Sequence, residues 1–572
     1  QPAITDQTLR AVAADRTDNP DAIRLVAQLS ERYRFLHPHL AFPDVFAADS
    51  EADEGWQGGF DLVFGNPPWD TLSPDQREFF ARYRPGMRSL GPKEQAAVID
   101  ELLGDEGIAE EWREYRRNLV ALAHFRAESG RFRMAHSNLG GGATNVYRMF
   151  MEVGLRMTRP GGYTAQIVPA GLYAGAKEVN LRKYLLDRCQ LVALYGFSNY
   201  KKRWFQIDMA RFAAYTAMAG GRTASFITKF GMEDASELAA ATALTIDADT
   251  IRQQEPLTYA IPEIRSSAAL SVSQRIYAAW PPFGRNLPGL PFRDFRREVD
   301  MGNDRHLFTD DPSGLPVYEG RMIDHFDHRA KTYVSGHGNS AVWQERTFAD
   351  PEKAIRPQWY MRERDIPAKV GDRTDYFRIG FMDVASPRDR RSLTAALIPP
   401  NVICGDKVPT ILFPENQQWA YMPLLALLNA LATDWLARAK LTGAKMSYTT
   451  VDSLPVPRLA VDDPRTAVLA PLALRLSCTG PEMTPYWNSM SEYGWCEPVP
   501  VDVVPDDSFT DDMSRSAARA QLDAFVAKFV YEMQNDELVF VLDSFPVLRR
   551  FEEKAYGEFR TKQLVLEWYD KL

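Results

Sequence analysis

The chain has 572 residues, 67 Lys and Arg against 76 Asp and Glu, and a formal charge of −9; 45% of it is hydrophobic and 25% charged. That balance excludes a disordered tail, a collagen-like fibre and a coiled-coil rod, and the length predicts about three or four domains with ample core. The acidic total argues against nucleic-acid binding through bulk charge and leaves room for a local basic groove.

In chain order, residues 21–35 carry helical apolar spacing. Phe42 to Phe46 reads as extended, and an acidic loop follows, ending at Gly58-Gly59. Phe60-Asp61-Leu62-Val63-Phe64 is a short apolar strand, closed by Gly65-Asn66-Pro67-Pro68-Trp69, whose two prolines end any ladder. Residues 74–129 are charged and helical in pattern, and Gly140-Gly141-Gly142 predicts a hinge. A helix over 145–157, a strand over 163–168, a helix over 181–188 and strands over 191–195 and 210–217 complete a β-α-β-α-β alternation, which predicts part of an α/β sheet covered on both faces. Residues 226–470 read as a separate α+β region with one strong helix over 423–440. Residues 497–512 read as an acidic, proline-containing linker, and 517–533 and 551–569 as helices.

Four cysteines without a C-x-x-C pair predict a reducing, cytoplasmic setting, and no apolar run approaches the roughly 20 residues that span a bilayer. The chain begins at Gln1 rather than Met, which predicts a fragment or a processed product. His325 and His328 stand three apart without H-E-x-x-H or a cysteine partner; a hydrogen-bond network or a DNA contact is the preferred reading, and no metal site is predicted. Gly443-Ala444-Lys445-Met446-Ser447 imitates the end of a phosphate loop without its spacing.

The motif that carries chemistry is Asn66-Pro67-Pro68-Trp69, directly after an apolar strand; it resembles the catalytic motif of S-adenosylmethionine-dependent adenine-N6 DNA methyltransferases, and that resemblance implies the following chemistry. An exocyclic amino group conjugated with an aromatic ring is a poor nucleophile. Two acceptors on its hydrogens, the Asn66 side-chain carbonyl and the Pro67 backbone carbonyl, draw the nitrogen towards a tetrahedral form. Prolines stiffen the loop and so preorganise those acceptors. Trp69 offers a face to a base taken out of a duplex.

Phe42-Pro43-Asp44-Val45-Phe46 with Gly59-Phe60-Asp61 resembles the lead-in of the large gamma-class restriction–modification methylases. Thr144-Asn145-Val146-Tyr147, Arg159-Pro160-Gly161-Gly162 and Ile167-Val168-Pro169 resemble their next helix and strand. Trp204-Phe205-Gln206 resembles their later segment, whose Phe faces the target base. Leu538 to Pro546 and Tyr556 to Lys562 resemble the tail of phage-defence methylases of the BREX or DISARM type.

The resemblance implies an α/β catalytic portion over 1–225, the C-terminal half of a Rossmann-like methyltransferase sheet. It implies an α+β target-recognition region over 226–470, and an acidic linker with a helical C-terminal tail over 471–572. It implies Asn66, Pro67, Pro68 and Trp69 as catalytic, Trp69 and Phe205 stacking on the base, and Asp44 and Tyr147 on the cofactor. Double-stranded DNA is the implied partner, with helicase or nuclease subunits of a defence complex as further candidates and no membrane. Candidate grips on DNA are Lys201, Lys202, Arg203, Arg388, Arg390, Arg391, Lys407 and Lys445.

One element of the family pattern is missing. Only 65 residues precede Asn66, and none forms an acidic-strand and G-x-G cofactor loop. Half of the sulfonium-cofactor site is therefore expected from outside this sequence. The alternative is a catalytically inert chain that binds DNA or a defence partner. Methylation of a protein glutamine uses a similar loop, but the large recognition region and tail speak against it.

Overall fold

The computed structural model describes residues 10–11, 14, 20–137, 144–206, 211–240, 243–285, 293–337, 340–350, 352–441 and 445–572. The expected hinge at Gly140 to Gly142 lies outside them.

The sheet that carries the motif has six strands. A short hairpin of β1 (Phe46–Ala48) and β2 (Trp56–Gly58) leads into β3 (Phe60–Gly65). Gly59 sits at the entry, at φ +132°, where a Cβ would lie 2.6 Å from the Arg159 backbone nitrogen, so only glycine lets the chain pass. The sheet continues with β4 (Thr158–Pro169), β5 (Cys189–Ser198), β6 (Arg211–Ala219), β7 (Ser225–Met232) and β8 (Leu244–Asp247), in the order β3-β4-β6-β5-β7-β8. β3 and β4 are parallel, and β6 runs antiparallel between β4 and β5. β7 and β8 extend this sheet past residue 225.

The helices Tyr147–Arg156 and Val179–Asp187 cover one face. Met151, Leu155, Leu181 and Leu185 pack there with Val168, Leu194 and Tyr215. The expectation of a sheet covered on both faces fails at β3 and β4. Leu62 is 53% exposed, Phe64 74%, and Tyr163 and Ile167 of β4 are exposed beside them. β3 is also the end strand, with no partner along its outer edge among the described residues. Apolar side chains in a parallel pair ordinarily lie under a helix, so this face lacks its cover.

The region after residue 255 holds two four-stranded sheets and a hairpin (Lys331–Ser335 with Val342–Glu345). The single helix expected over 423–440 is two, Tyr421–Leu428 and Leu431–Arg438, bent by 69°. Asn429 at the break pairs with both backbone groups of Ala395, and the Leu431 N–H is taken by Asp523. Tertiary hydrogen bonds there outweigh helix continuity. The expected helix over 551–569 is also two, Pro546–Tyr556 and Arg560–Lys571, separated by Gly557 at φ +81°. The C-terminal helices share a core with residues of the 226–470 region. One core runs from Val272 through Leu424, Leu469 and Ala524 to Val565.

Candidate active site and nucleic-acid interface

The motif loop leaves the end of β3 and is held from one side. The Asn145 amide donates to the Trp69 carbonyl (2.5 Å). The Val146 N–H donates to the Asp70 carbonyl (2.8 Å) and the Leu72 N–H to the Thr144 carbonyl (2.7 Å). Pro67 is buried, whereas Asn66 and Pro68 are exposed. The Asn66 side chain therefore stands at the mouth of the loop with both amide ends open to a ligand.

Trp69 and Phe205, 136 positions apart in sequence, are in ring contact at 4.8 Å between centroids, tilted by 57°. Phe212 packs behind both, at 6.3 Å from Trp69 and 5.1 Å from Phe205. A base sandwiched between two rings needs about 7 Å between their planes, from two contacts of about 3.5 Å. The pocket is thus closed, and Phe205 has to swing away to admit one. The Trp69 Nε1 is buried without a hydrogen-bond partner. An unmet buried donor is costly, and an incoming acceptor would satisfy it.

The Phe205 loop is fixed by a residue that the motif does not point to. Asn199 is fully buried. Its Oδ1 accepts from the backbone N–H groups of Trp204 (2.7 Å) and Phe205 (3.1 Å), and its Nδ2 donates to the Phe205 carbonyl (2.8 Å). An asparagine one residue past a strand is the only sequence signal for it.

The remaining expected residues divide. Tyr147 is 2% exposed and its hydroxyl donates to Glu178 (2.8 Å). Burial, then the Glu178 carboxylate, push its phenol well up. The structure thus places the Tyr147 hydroxyl on Glu178 inside the core. Asp44 is an exposed turn residue. Lys202 is exposed at φ +56°, and Arg203 is paired with Asp234 (3.6 Å). The Lys201 side chain lies outside what the structure describes.

Arg388, Arg390, Arg391 and Lys407 line one cleft of about 1420 Å³ between the 226–470 region and the C-terminal helices. Arg391 does not point to a ligand there: its guanidinium donates to Asp434 (2.7 Å) and to the Asn429 carbonyl, which makes it a structural residue. Lys407 pairs with Asp406 (2.7 Å). Lys445 is exposed and its backbone bridges to Val384 on the cleft wall. His325 holds Nδ1 2.8 Å from Asp324 and Nε2 3.0 Å from the Leu393 carbonyl, and His328 Nε2 is 2.7 Å from Glu482. Both rings belong to buried hydrogen-bond networks.

No protein-family model and no curated protein matches the chain. Among solved structures it is similar to the type IIG restriction endonuclease BpuSI, at 13% identity and a TM-score of 0.26, over 89% of this chain and 54% of that one. It is similar to the type IIL restriction-modification enzyme MmeI in complex with DNA, at 12% identity and 0.36, over 85% and 57%. It is similar to the M protein of the type I restriction enzyme EcoKI, at 14% identity and 0.14, over 39% of each. The chain spans a little over half the length of the first two.

Proposed function

We propose that the chain is the greater part of an S-adenosylmethionine-dependent adenine-N6 DNA methyltransferase of a restriction–modification or phage-defence system, acting on a base flipped out of the duplex. The observation that carries this reading is the meeting of an exposed Asn66, between strand and prolines, with the Trp69–Phe205 ring pair. With Phe205 moved outward, the target base stacks between Trp69 and Phe205. Its amino hydrogens are accepted by the Asn66 side-chain carbonyl and the Pro67 backbone carbonyl, which localises the nitrogen lone pair for attack. Proline stiffness keeps both acceptors in place before the base arrives. Tight packing around Phe212 excludes water from the far side of the ring.

A sulfonium donor supplies the electrophilic methyl group when bound. The described residues fit one side of such a donor. Asn66 stands at the end of β3, beside the open strand edge and the bare face of Leu62 and Phe64. The Tyr147 hydroxyl is on Glu178 inside the core. The same open edge favours a second reading for this chain alone, a DNA-binding unit that is inert until another polypeptide segment completes the sheet.

The test is transfer of labelled methyl from S-adenosylmethionine to duplex DNA, using the longest polypeptide that carries this chain. Label at adenine N6 that falls by about a hundredfold or more in Asn66→Ala is expected, the loss typical of one preorganised transition-state contact. Label in cytosine, or full activity in that variant, contradicts the reading. For the chain alone, methyl transfer without any added segment contradicts the second.

A further inference from the structure

The cleft behind Arg390 gathers ten Lys and Arg against seven Asp and Glu, on a molecule whose total is −9. Four of its carboxylates are engaged internally. Asp324 meets His325, Asp389 accepts the Ser386 N–H, Asp523 accepts the Leu431 N–H, and Glu552 takes both the N–H and the hydroxyl of Thr561. The cations of its walls are held differently. Arg305 lies 3.5 Å over Trp359, Arg390 4.2 Å over Phe551 and Arg560 5.2 Å over Tyr556, while Arg321 lies 5.6 Å over Trp343. None of these four makes an ion pair among the described residues. A guanidinium over an aromatic ring is attracted by the ring's quadrupole and keeps its N–H donors, the groups that meet a phosphate.

The two walls come from different parts of the chain. Arg305, Arg321 and Arg390 belong to the 226–470 region; Arg560, Phe551 and Tyr556 belong to the C-terminal helices. Arg390 spans the two by resting on Phe551. At the rim, Arg388 lies 6.0 Å over Tyr200, at the start of the loop that carries Phe205. This contact joins the cleft lining to the loop that carries Phe205.

We propose that the C-terminal helices are the second jaw of a double-stranded DNA clamp, with Arg390 and Arg560 gripping backbone phosphates across the cleft from Arg305 and Arg321. The proposal rests on the DNA reading above and adds a jaw that neither the motif nor the recognition region contains. Its occupant is duplex DNA because cations without ion pairs among the described residues come to one cleft from both the 226–470 region and the C-terminal helices, and Arg388 joins that lining to the loop that carries Phe205.

The test is fluorescence anisotropy with a labelled duplex of about 30 base pairs and mixed sequence, without cofactor, between about 50 and 200 mM salt. Removing one phosphate contact lowers the slope of log affinity against log salt by about 0.9. Arg390→Ala with Arg560→Ala is expected to lower it by about 2, and adding Arg305→Ala and Arg321→Ala by about 3 to 4. The Arg390→Lys, Arg560→Lys chain keeps the charges and is expected to keep most of the slope, with an unchanged melting temperature. An unchanged slope in the alanine variants, no binding of duplex by the parent chain, or equal binding of a double-stranded RNA overturns the proposal. The two readings fail separately. Duplex bound with the full slope by a protein that transfers no methyl group removes the methyltransferase and keeps the clamp. Methyl transfer with slopes that ignore Arg390 and Arg560 does the reverse.

Discussion

Asn199 is fully buried, and its three hydrogen bonds make it the support of the loop that carries Phe205. At about 1 kcal/mol each, Asn199→Ala is expected to loosen the 199–205 loop by about 2 to 3 kcal/mol. Asn199→Asp keeps the acceptor for the two N–H groups and should restore most of that. The readout is fluorescence of a 2-aminopurine placed at the target position, and equal behaviour of both variants would remove the positioning role. Phe205→Ala should weaken the same base-flipped state by about 1 to 3 kcal/mol, the worth of one base–aromatic stack. Asp523 offers a pH test. Burial raises its carboxyl to about 6 in the fold, against the ordinary value of 3.8. The folded state then binds the extra proton, so this group's contribution to stability declines as pH rises from about 4 to about 6 and is flat above. Asp523→Asn retains an acceptor for Leu431 and should remove that decline relative to the parent, measured as the difference in unfolding midpoint across the window. An identical pH dependence in both proteins would exclude it.

At the scale of elements, patterning and turn chemistry were legible where they depended on local physics. Phe60 to Phe64 is a short apolar run that ends before two prolines, and β3 follows that reading to within a residue. The strand expected over 163–168 is the middle of β4, whose start at Thr158 lies across Pro160 and two glycines, signals that read as a stop. The broken helices were hidden for different reasons. Gly557 was visible, but its left-handed backbone was not, because glycine within an apolar run is also compatible with a helix. A Cβ at Gly557 meets nothing within 4 Å, so Gly557→Ala tests conformation alone. It should destabilise by about 1 kcal/mol in denaturant unfolding, and no change would mean the break is set by Phe559 and the packing beyond it. Asn429 has no local signal at all, since its partner Ala395 is 34 positions away. The pocket was half legible for the same reason: Trp69 is announced by its motif, Phe205 through resemblance, and Asn199 by neither.

For the whole molecule, sequence composition divided the last 300 residues at about 470, whereas packing does not. Leu424, Leu469, Ala524 and Val565 share one core. Removing residues 512–572 should therefore expose apolar helix faces of the 226–470 region instead of trimming a tail. Limited proteolysis is expected to cut the shortened chain throughout 260–470; a protease-resistant fragment ending near 510 would show the regions to be independent. The acidic average is equally uninformative about the cleft, because ten cations there are brought together from residues 305 to 560 by folding alone.

The bare edge of β3 has a consequence for how the chain behaves in concentrated solution. A strand whose outer edge has no partner among the described residues, with Leu62 and Phe64 exposed beside it, is a template for any other extended segment, including the same edge of a second molecule. A chain in this state has a shelf life set by collisions between its own copies. Its tendency to self-associate should rise with concentration and fall when Phe64 becomes lysine, whereas a protein whose β3 has been capped should be indifferent to that change. Light scattering at a few concentrations would thus report, without any ligand, whether the outer edge of β3 is covered.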